Sequence, residues 1–307
     1  MPCTAAVVVD WQRPRETLDA LNSLASMSPK PDSVFCVENG GTEEGLALIR
    51  SMAPALTTLV ELPENVGFAA AANLGVDRAV ASGAEWVLLL NNDATVASGC
   101  LRRCLEEALA FPQVAAVSPA IALADRPDRL WYGGGEVSPW FAFTRHRALN
   151  GPAAAPPPSG PTAFATGCCM LISAKAWVSI GPFRADFFAY YEDAEWCQRA
   201  TAAGWTCRYL GEVLCTHAAG VSSGLRGSFG LSEHTAYYKA RNPLRFALET
   251  RAAPRRLSRV IGLMLVWNAY HAWRIAESRS RRVAQGYWRG IHDAFKGQMG
   301  PYSKRRT

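Results

Sequence analysis

The sequence has no apolar run that could cross a membrane, since a membrane-spanning helix needs roughly 20 predominantly apolar residues. Near the C-terminus the longest apolar stretch, Val260–Trp267, is too short, and Asn268, His271 and Arg274 follow it. No C-x-x-C pair, P-loop or G-x-G-x-x-G fingerprint occurs. A zinc site of the C-x-x-C type, P-loop ATP hydrolysis and NAD binding therefore have no motif to support them.

A secretory signal and a disulfide framework are not indicated either. The N-terminus has only a five-residue apolar run, Ala5–Val9, with no basic region before it and Asp10 closing it. This pattern predicts a buried strand and no signal peptide. The nine cysteines are an odd number, and most lie in apolar runs. They predict free thiols in a reducing compartment, so we expect a cytoplasmic protein.

Acidic residues are scarce in one part of the chain only. Residues 1–250 contain 19 Lys and Arg against 24 Asp and Glu, a net charge of −5, whereas residues 251–307 contain 13 against 2, a net charge of +11. Because 49% of all residues are apolar and 19% are charged, the composition is that of a globular protein with a sizeable core. The basic tail fits an anionic partner, such as a membrane surface or nucleic acid, and equally a solubilising terminus.

Short apolar runs alternate with helical patterns through the first 120 residues, which predicts an α/β domain with a largely parallel sheet. We expect strands at Ala5–Val9, Ser33–Val37, Thr57–Leu62, Trp86–Leu90, Val114–Ser118, Cys168–Ile172 and Thr206–Leu210. We expect helices at Arg15–Ala25, Glu43–Met52, Ala69–Ser82, Leu101–Ala110 and Glu192–Ala203. Polar residues close several of these strands, at the edge where open α/β sheets bind ligands.

Two segments depart from this pattern. Residues 125–161 are rich in Gly and Pro, which predicts a long surface excursion that serves as a lid or binding loop or is simply mobile. A helical run over Arg255–Arg282 carries tryptophans between arginines, which suits a membrane interface. Its central part, Val260–Trp267, is apolar nearly all round, which equally suits a helix packed on the protein body or in a dimer interface.

The triplet Asn91-Asn92-Asp93 follows a buried strand and is a candidate metal site. Magnesium and manganese prefer oxygen ligands, and one or two carboxylates with substrate phosphates can hold them. The same residue types are also favoured at any junction between a strand and a turn. His217 would complete a manganese-type site only if the fold brings it beside Asp93.

Three acids open a predicted helix in the segment Phe187–Arg199, directly after a cluster of aromatic residues. Acidic side chains stabilise helix N-termini, which is one explanation for them. The aromatic flank of Glu192 and Asp193 gives another, since a partly buried carboxylate at a pocket wall is suited to act as a general base. The segment alone does not decide between the two.

In their order along the chain, these segments resemble the family-2 inverting glycosyltransferases of the GT-A fold, in particular their rhamnosyltransferase-like branch. The resemblance covers nearly the whole chain. It runs through Val7–Trp11, Val37–Gly41, Asn65–Phe68 with Asn73 and Gly75, Leu89–Asp93, Ala165–Gly167, Ile180–Phe183, Tyr191–Asp193 with Arg199, Gly204-Trp205, His217 and Arg241-Asn242.

The resemblance implies a role for each matching residue. Asp10, Glu38 and Asn39 would lie near the base and ribose of a nucleotide, and Gly67, Asn73, Asn92 and Asp93 would complete its binding site. Asp93 and His217 would bind a divalent metal, Mg²⁺ or Mn²⁺. Asp193 would be the catalytic base, and Glu192, Trp196 and Arg241 would lie on the acceptor side. The sequence departs from the family pattern at three positions, where Asp10, Glu38 and Glu195 stand in place of the more usual Asn, Asp and Asp.

The resemblance also implies a domain division. Residues 1–235 would form the GT-A domain, with a nucleotide-binding half over 1–120 and an acceptor half over 121–235. Residues 236–307 would form a basic helical extension, which docks on a membrane surface, binds the acceptor or mediates a homodimer. We do not expect nucleic-acid binding, since the basic residues do not interleave with a recognisable nucleic-acid fold.

The implied reaction is inverting transfer of a sugar, with rhamnose as the first candidate, from a dTDP-, UDP- or GDP-sugar to an acceptor hydroxyl. The acceptor would be a glycan, a lipid-linked sugar or a small molecule, and the enzyme would be cytoplasmic or peripheral on the inner face of the membrane. Two alternatives stay open. One is a sugar-1-phosphate nucleotidyltransferase, although Trp11–Arg15 lacks the Gly-rich loop expected of that class. The other is a non-catalytic module that binds carbohydrate or a membrane surface.

Overall fold

A computed structural model describes residues 1–138, 143–218, 232–249, 260–262, 269, 273 and 280–302. The chain divides into two compact units. The first comprises Met1–Glu136, His146–Ala185 and Asp193–Ala219, and the second comprises Val137–Arg145, Asp186–Glu192 and Gly220–Thr307. The predicted division at residue 235 stays a prediction.

A ten-stranded mixed sheet, with helices packed against it, forms the first unit. The described residues contain twelve strands, ten of which form this sheet: β1 (Thr4–Asp10), β2 (Ser33–Asn39), β3 (Thr57–Leu62), β4 (Trp86–Asn91), β5 (Ala94–Val96), β6 (Val114–Leu123), β7 (Leu130–Tyr132), β8 (Gly135–Val137), β9 (Thr144–His146), β10 (Gly160–Pro161), β11 (Cys169–Ser173) and β12 (Thr206–His217). The main path through the sheet is β10-β12-β6-β11-β4-β1-β2-β3, while β5 pairs with β12, β7 with β6, and β8 and β9 form a separate two-stranded sheet.

The helices match the predicted positions closely. They are α1 (Pro14–Ala25), α2 (Glu43–Met52), α3 (Phe68–Ala81), α4 (Cys100–Leu109), α5 (Ala174–Ile180) and α6 (Glu192–Ala202), with a 3₁₀ turn at Ala185–Phe187. Of these only α5 and the 3₁₀ turn were not predicted. The α/β class is therefore confirmed, because apolar runs of strand length alternate with amphipathic helices as expected.

The parallel half of the sheet explains why polar residues gather at one edge. Strands β1, β2, β3 and β4 run parallel, with every residue of β1 buried. Their register pairs Asp10 with Glu38 and Val9 with Asn91. The residues that close these strands therefore lie side by side at the carboxyl ends of the sheet, as predicted from the order of strands and helices.

The first unit differs from the prediction in several features. Strand β6 runs on to Leu123 instead of ending at Ser118. Strand β12 extends to His217 instead of ending at Leu210, and the short strand β5 pairs with its end. The excursion over residues 125–161 is not wholly at the surface, because Leu130 and Tyr132 are fully buried. Tyr132 donates a hydrogen bond from its hydroxyl to the Phe164 carbonyl at 2.7 Å, which ties the start of the excursion into the core.

In the second unit, α7 (Glu233–Leu248) packs against α8 (Arg281–Lys296). Two glycines on α8 permit this close approach. A Cβ atom on Gly286 would lie 2.3 Å from the Glu233 carbonyl oxygen, and one on Gly290 would lie 2.3 Å from that of Tyr237. The buried cluster between the helices is Ala236, Ala240, Leu244, Phe246, Ala247, Val283, Tyr287, Ile291 and Ala294.

All nine cysteines are free thiols, as predicted, and eight of them are buried. Most of the predicted helical run Arg255–Arg282, including the greater part of Val260–Trp267, lies outside the described residues. No helix within the described ranges combines the length and the apolar composition that a membrane span requires.

Candidate functional site

The candidate site begins at the carboxyl end of β1, where Asp10 is 2% exposed. Its Oδ1 accepts hydrogen bonds from the Thr17 hydroxyl at 2.5 Å, from the Arg13 backbone N–H at 3.3 Å and from the Asn92 amide at 3.4 Å. Burial raises the pKa of Asp10, although these hydrogen bonds oppose the shift. The sequence did not predict that Thr17 bonds to Asp10, because a single threonine within a helical pattern does not indicate which residue its hydroxyl contacts.

Glu38 lies beside Asp10 across the β1–β2 pair. Its carboxylate accepts a hydrogen bond from the Gly41 backbone N–H, and burial, together with the Asp10 charge, raises the pKa of Glu38. Two buried carboxyls on adjacent strands thus lie side by side at this end of the sheet.

Asn39 connects β2 to the turn before α3. Its Oδ1 accepts from the Val66 backbone N–H at 3.0 Å, and its Nδ2 donates to Asn65 Oδ1 at 3.2 Å. Gly67, which follows Val66, has φ +90° and directly precedes α3. Glycine is needed there because other residues adopt this conformation only with strain.

Asp93 and His217 are brought together by the strand pairing that the sequence did not reveal. In the β5–β12 ladder His217 lies opposite Ala94, and the Ala218 backbone N–H donates to the Asp93 carbonyl at 2.9 Å. His217 Nε2 lies 3.0 Å from Asp93 Oδ1, and both residues are less than 10% exposed. Both ring nitrogens of His217, Nδ1 and Nε2, are buried, and neither makes a hydrogen bond within the part of the chain that the structure describes.

These two side chains fit a divalent metal site. Two ligands at adjacent corners of an octahedron, each about 2.1 Å from the ion, are about 3 Å apart. An oxygen and an imidazole nitrogen suit Mn²⁺ as well as Mg²⁺. Within the described ranges no group of three or more His, Cys, Asp or Glu side chains could hold a metal. The protein would therefore supply two ligands, and a substrate diphosphate and water would supply the others.

An aromatic side chain that the sequence did not single out holds His217 in place. The Trp131 ring lies edge-on to the His217 ring, with centroids 4.3 Å apart, and edge-on to His146, with centroids 4.4 Å apart. His146 Nδ1 lies 3.0 Å from the Trp131 carbonyl oxygen, and burial lowers the pKa of His146 to about 4. Trp131 lies in the predicted surface excursion, so only the fold reveals its contact with a predicted metal ligand.

Asp193 is the second residue of α6. Its Oδ2 accepts a hydrogen bond from the Gly167 backbone N–H at 3.0 Å, and its Oδ1 accepts one from the Ala194 backbone N–H at 2.7 Å. Asp193 keeps part of its surface exposed, while burial of its carboxyl group raises its pKa against these two hydrogen bonds. A carboxylate with a raised pKa is more basic than an ordinary one and is suited to take up a proton.

Asp193 and the end of β4, two residues before Asp93, both bond to one short loop. The Cys168 carbonyl in this loop accepts from the Asn91 backbone N–H at 2.8 Å, and the neighbouring Gly167 bonds Asp193. The charges of both Asp93 and Asp193 contribute to the pKa of the Cys168 thiol, which burial raises to about 11. The predicted metal ligand and the predicted base therefore belong to one region of the first unit.

The structure gives other predicted residues structural partners. The Asn73 amide bonds both the carbonyl and the N–H of Phe183, at 2.8 and 2.9 Å. Trp196 has no exposed surface and donates from Nε1 to the Gly181 carbonyl at 2.8 Å. Glu192 and Arg241, which belong to the second unit, are 5% and 0% exposed. The structure therefore does not bring Trp196 or Arg241 to a surface that an acceptor could reach.

Comparisons with known proteins identify the family of the chain. The model of "Glycosyltransferase like family 2" matches residues 2–235. The N-acetylglucosaminyl-diphospho-decaprenol L-rhamnosyltransferase of Mycobacterium tuberculosis is 25% identical over 238 residues, which are 70% of this chain and 75% of that protein. Galactofuranosyltransferase GlfT1 of the same organism is 32% identical over 128 residues, which are 41% of each chain.

Among solved structures, the mannosyltransferase PcManGT from Pyrobaculum calidifontis, in complex with GDP-Man and Mn²⁺, superposes with a TM-score of 0.58. The match covers 96% of this chain and 81% of that one at 18% identity, which shows a shared fold. The GT-A fold is thereby confirmed. Since the family model spans most of the chain, the protein belongs to glycosyltransferase family 2 and is a rhamnosyltransferase-like glycosyltransferase.

Proposed function

We propose that this enzyme transfers a sugar, with rhamnose as the first candidate, from a nucleoside-diphosphate donor to an acceptor hydroxyl with inversion at the anomeric carbon. The observation that carries the proposal is the buried pair of Asp93 and His217, 3.0 Å apart at the carboxyl end of the sheet. The His217 Nε2 atom that faces Asp93 is buried and makes no hydrogen bond within the described ranges, and such a nitrogen is costly unless a ligand uses it.

Each group of neighbouring residues has its own proposed role in the reaction. Asp10, Glu38 and Asn39 bind the base and ribose, with Gly67 and Asn92 beside them. Asp93 and His217 hold a divalent cation, which when bound neutralises charge on the departing diphosphate. Asp193 removes the proton from the acceptor hydroxyl on the opposite side of the sugar, a role worth about 10²- to 10⁴-fold in rate. A single displacement of this kind inverts the anomeric carbon.

The names of the relatives guide the choice of substrates. That of the mycobacterial rhamnosyltransferase contains a lipid-linked sugar, N-acetylglucosaminyl-diphospho-decaprenol, which favours a lipid-linked acceptor here. The archaeal structure contains GDP-Man and Mn²⁺, which supports a nucleotide-sugar donor and a divalent metal. We rank a dTDP-sugar first as donor, before UDP- and GDP-sugars, and a lipid-linked glycan before a free glycan or a small molecule as acceptor.

A donor panel tests this proposal. Thermal shifts are measured with dTDP-, UDP- and GDP-sugars, each with Mg²⁺, with Mn²⁺ and with EDTA. We expect one nucleotide family to raise the Tm, and to do so only with metal. Failure of every donor to stabilise the fold would contradict the proposal. With the selected donor, NMR of the product of transfer should show an inverted anomeric carbon, and retention would contradict the single displacement.

The same assay separates the alternatives. A sugar-1-phosphate nucleotidyltransferase would release pyrophosphate from a nucleoside triphosphate, whereas the transferase releases nucleoside diphosphate. A non-catalytic module would bind a sugar or a membrane without any hydrolysis of the donor in Mn²⁺. We expect slow metal-dependent hydrolysis of the donor in the absence of acceptor.

We further propose that the outer face of α8 docks on an anionic membrane, where a lipid-linked acceptor is found. This face exposes Trp288 and Phe295, 59% and 51% accessible, together with Arg281, Arg282 and Lys296. The one acidic residue of α8, Asp293, is buried and accepts a hydrogen bond from the Tyr237 hydroxyl. A face with exposed aromatic and basic side chains but no exposed acid suits an anionic lipid interface.

Co-sedimentation with vesicles tests the docking face. We expect the protein to bind vesicles that contain phosphatidylglycerol and not those of phosphatidylcholine alone. The double substitution Trp288→Ala with Phe295→Ala should abolish binding, while Leu109→Ala, which removes an exposed apolar side chain of the first unit, should not. If the double variant binds vesicles like the unsubstituted protein, or instead dissociates a homodimer, α8 is not the docking face.

A further inference from the structure

The segment that leads into α6 has an uncommon backbone. Phe188, Tyr190 and Tyr191 have φ values of +67°, +70° and +75°. This left-handed region is unfavourable for bulky side chains, and a cluster of such residues persists only when its surroundings hold it. The segment is followed directly by Glu192 and Asp193. Because residues 186–192 belong to the second unit, contacts within that unit must stabilise this conformation.

Two adjacent side chains on α7 hold this segment through its carbonyl groups. Arg241 Nη2 donates to the carbonyls of Asp186 and Phe187 at 3.1 and 2.8 Å. Asn242 Nδ2 contacts the carbonyls of Phe187, Ala189 and Tyr190 at 3.1, 2.7 and 2.8 Å. Both side chains are fully buried. Four carbonyl groups of a five-residue stretch thus point at one pair of donors, which the left-handed residues make possible.

The donors themselves are fixed in place. Arg241 Nε donates to Asn242 Oδ1 at 2.9 Å, which directs the Asn242 NH₂ group at the three carbonyls. Arg241 Nη1 donates to the Gly300 carbonyl at 2.6 Å, and its guanidinium lies 5.1 and 5.0 Å from the ring centroids of Tyr237 and Tyr238. A buried, fully bonded arginine of this kind is part of the framework and is not available to a phosphate.

The aromatic side chains of the segment are attached to the same helix. Phe188 stacks on Tyr238 with centroids 5.0 Å apart and planes at 6°. Tyr191 packs edge-on against Phe246 with centroids 5.6 Å apart. Both the backbone and the side chains of the segment are therefore fixed by α7.

We propose that Arg241 and Asn242 are positioning residues for the Asp193 carboxylate, acting through the left-handed segment 188–191. The inference rests on the proposed role of Asp193 as the base. Positioning matters because a misplacement of about 1 Å can cost about 10²-fold in rate. Helix α7 would thus contribute to transfer through its bonds to residues 186–190, in addition to any docking by α8.

The test compares Asn242→Ala with Arg245→Ala. Arg245 also lies on α7, but its partners are Glu249 and the Ala294 carbonyl, not the segment. We expect Asn242→Ala to lower kcat for transfer by about 10- to 100-fold, with the Kd of nucleoside diphosphate and Mn²⁺ unchanged. Hydrogen exchange of residues 186–191 should become faster in this variant only. Arg245→Ala should lower the Tm without either effect.

A second substitution keeps the inference testable if Asn242→Ala folds poorly. Glycine adopts left-handed φ values without strain, so Tyr190→Gly in the Asn242→Ala background should restore part of the Tm and of kcat. Equal losses of kcat in the Asn242→Ala and Arg245→Ala variants, or unchanged hydrogen exchange in the former, would overturn the inference. Absence of transfer by the unsubstituted protein would instead contradict the proposed function, and the exchange measurement would still decide whether the segment is held.

Discussion

In the first unit, buried polar side chains gather at the carboxyl ends of strands. Burial raises the pKa of Asp10, Glu38 and Asp193, and His217 Nδ1 has no hydrogen bond within the described ranges. In the second unit, by contrast, the three Arg241 nitrogens make five hydrogen bonds within the protein. We propose that the buried polar groups of the first unit serve ligand binding, whereas those of Arg241 in the second unit fix backbone conformation.

We expect the largest loss of activity from a substitution in the proposed metal site of the first unit. Asp93→Asn removes the charge that faces His217, so we expect turnover to fall about 10³-fold and Mn²⁺ binding to be lost. The Tm should change little, since the pair contributes to ligand binding more than to folding. Asp125→Asn, an exposed acid of the same unit, is the control. A large loss of Tm with normal Mn²⁺ binding would show that Asp93 serves folding and not metal binding, and would contradict the proposed difference between the units.

The next effect concerns packing in the second unit. Gly290→Leu places a side chain against the Tyr237 carbonyl, and overpacking costs about 1–3 kcal/mol, against about 1 kcal/mol regained in helix propensity. We expect the free energy of unfolding, measured by urea denaturation, to fall by up to about 2 kcal/mol. Gln285→Leu on the exposed side of α8 should have no such effect. The folded Gly290→Leu variant should still bind nucleoside diphosphate. Loss of that binding would contradict the proposal that ligand binding belongs to the first unit.

A smaller effect should follow from the ring that supports His217. Trp131→Ala removes the edge contact on the imidazole, and loss of such support typically costs about tenfold in metal affinity. The EPR signal of free Mn²⁺ during titration measures this affinity directly. Trp131→Phe keeps an aromatic ring and should bind nearly normally. If the alanine variant binds Mn²⁺ as tightly as the unsubstituted protein, Trp131 does not hold the ligand in place.

The smallest effect is on the stability of the unliganded protein. Burial raises the pKa of Asp10, so its favourable contribution to folding is lost as pH rises through that pKa. Asparagine does not titrate and can accept the same hydrogen bonds from Thr17 and Arg13. Asp10→Asn should therefore raise the Tm, and the rise should grow between about pH 4 and pH 7. A difference that shrinks as pH increases would contradict this explanation.

Much of the first unit could be predicted, because its signals are local. Strand β3 and helix α2 have the predicted limits, since apolar runs and amphipathic periods mark them. The alignment of Asp10 with Glu38 follows from parallel neighbours in the sheet.

The remaining features depend on contacts that are distant in sequence. His217 meets Asp93 through the three-residue strand β5, which is too short to show a period. Trp131 lies in a Gly-rich excursion, where no pattern indicates burial of its neighbours. The sequence did not indicate that Arg241 is completely buried, because three of its partners are backbone carbonyls more than 50 residues away in the chain. Every residue has a backbone carbonyl, so residue types do not indicate which carbonyl accepts a hydrogen bond.

The most direct test of the account is the substitution Asp193→Asn, with turnover and donor binding measured on the same preparation. We predict that kcat for transfer falls by about 10² to 10⁴, while the Kd of the nucleotide sugar with Mn²⁺ stays within a factor of about two. The amide keeps the shape of the carboxylate and can accept the bond from the Gly167 N–H, whereas its NH₂ group cannot accept the second bond, from the Ala194 N–H. The variant therefore loses the proton acceptor together with that one local hydrogen bond. Equal losses of binding and turnover, or normal turnover, would contradict the assignment of Asp193 as the base.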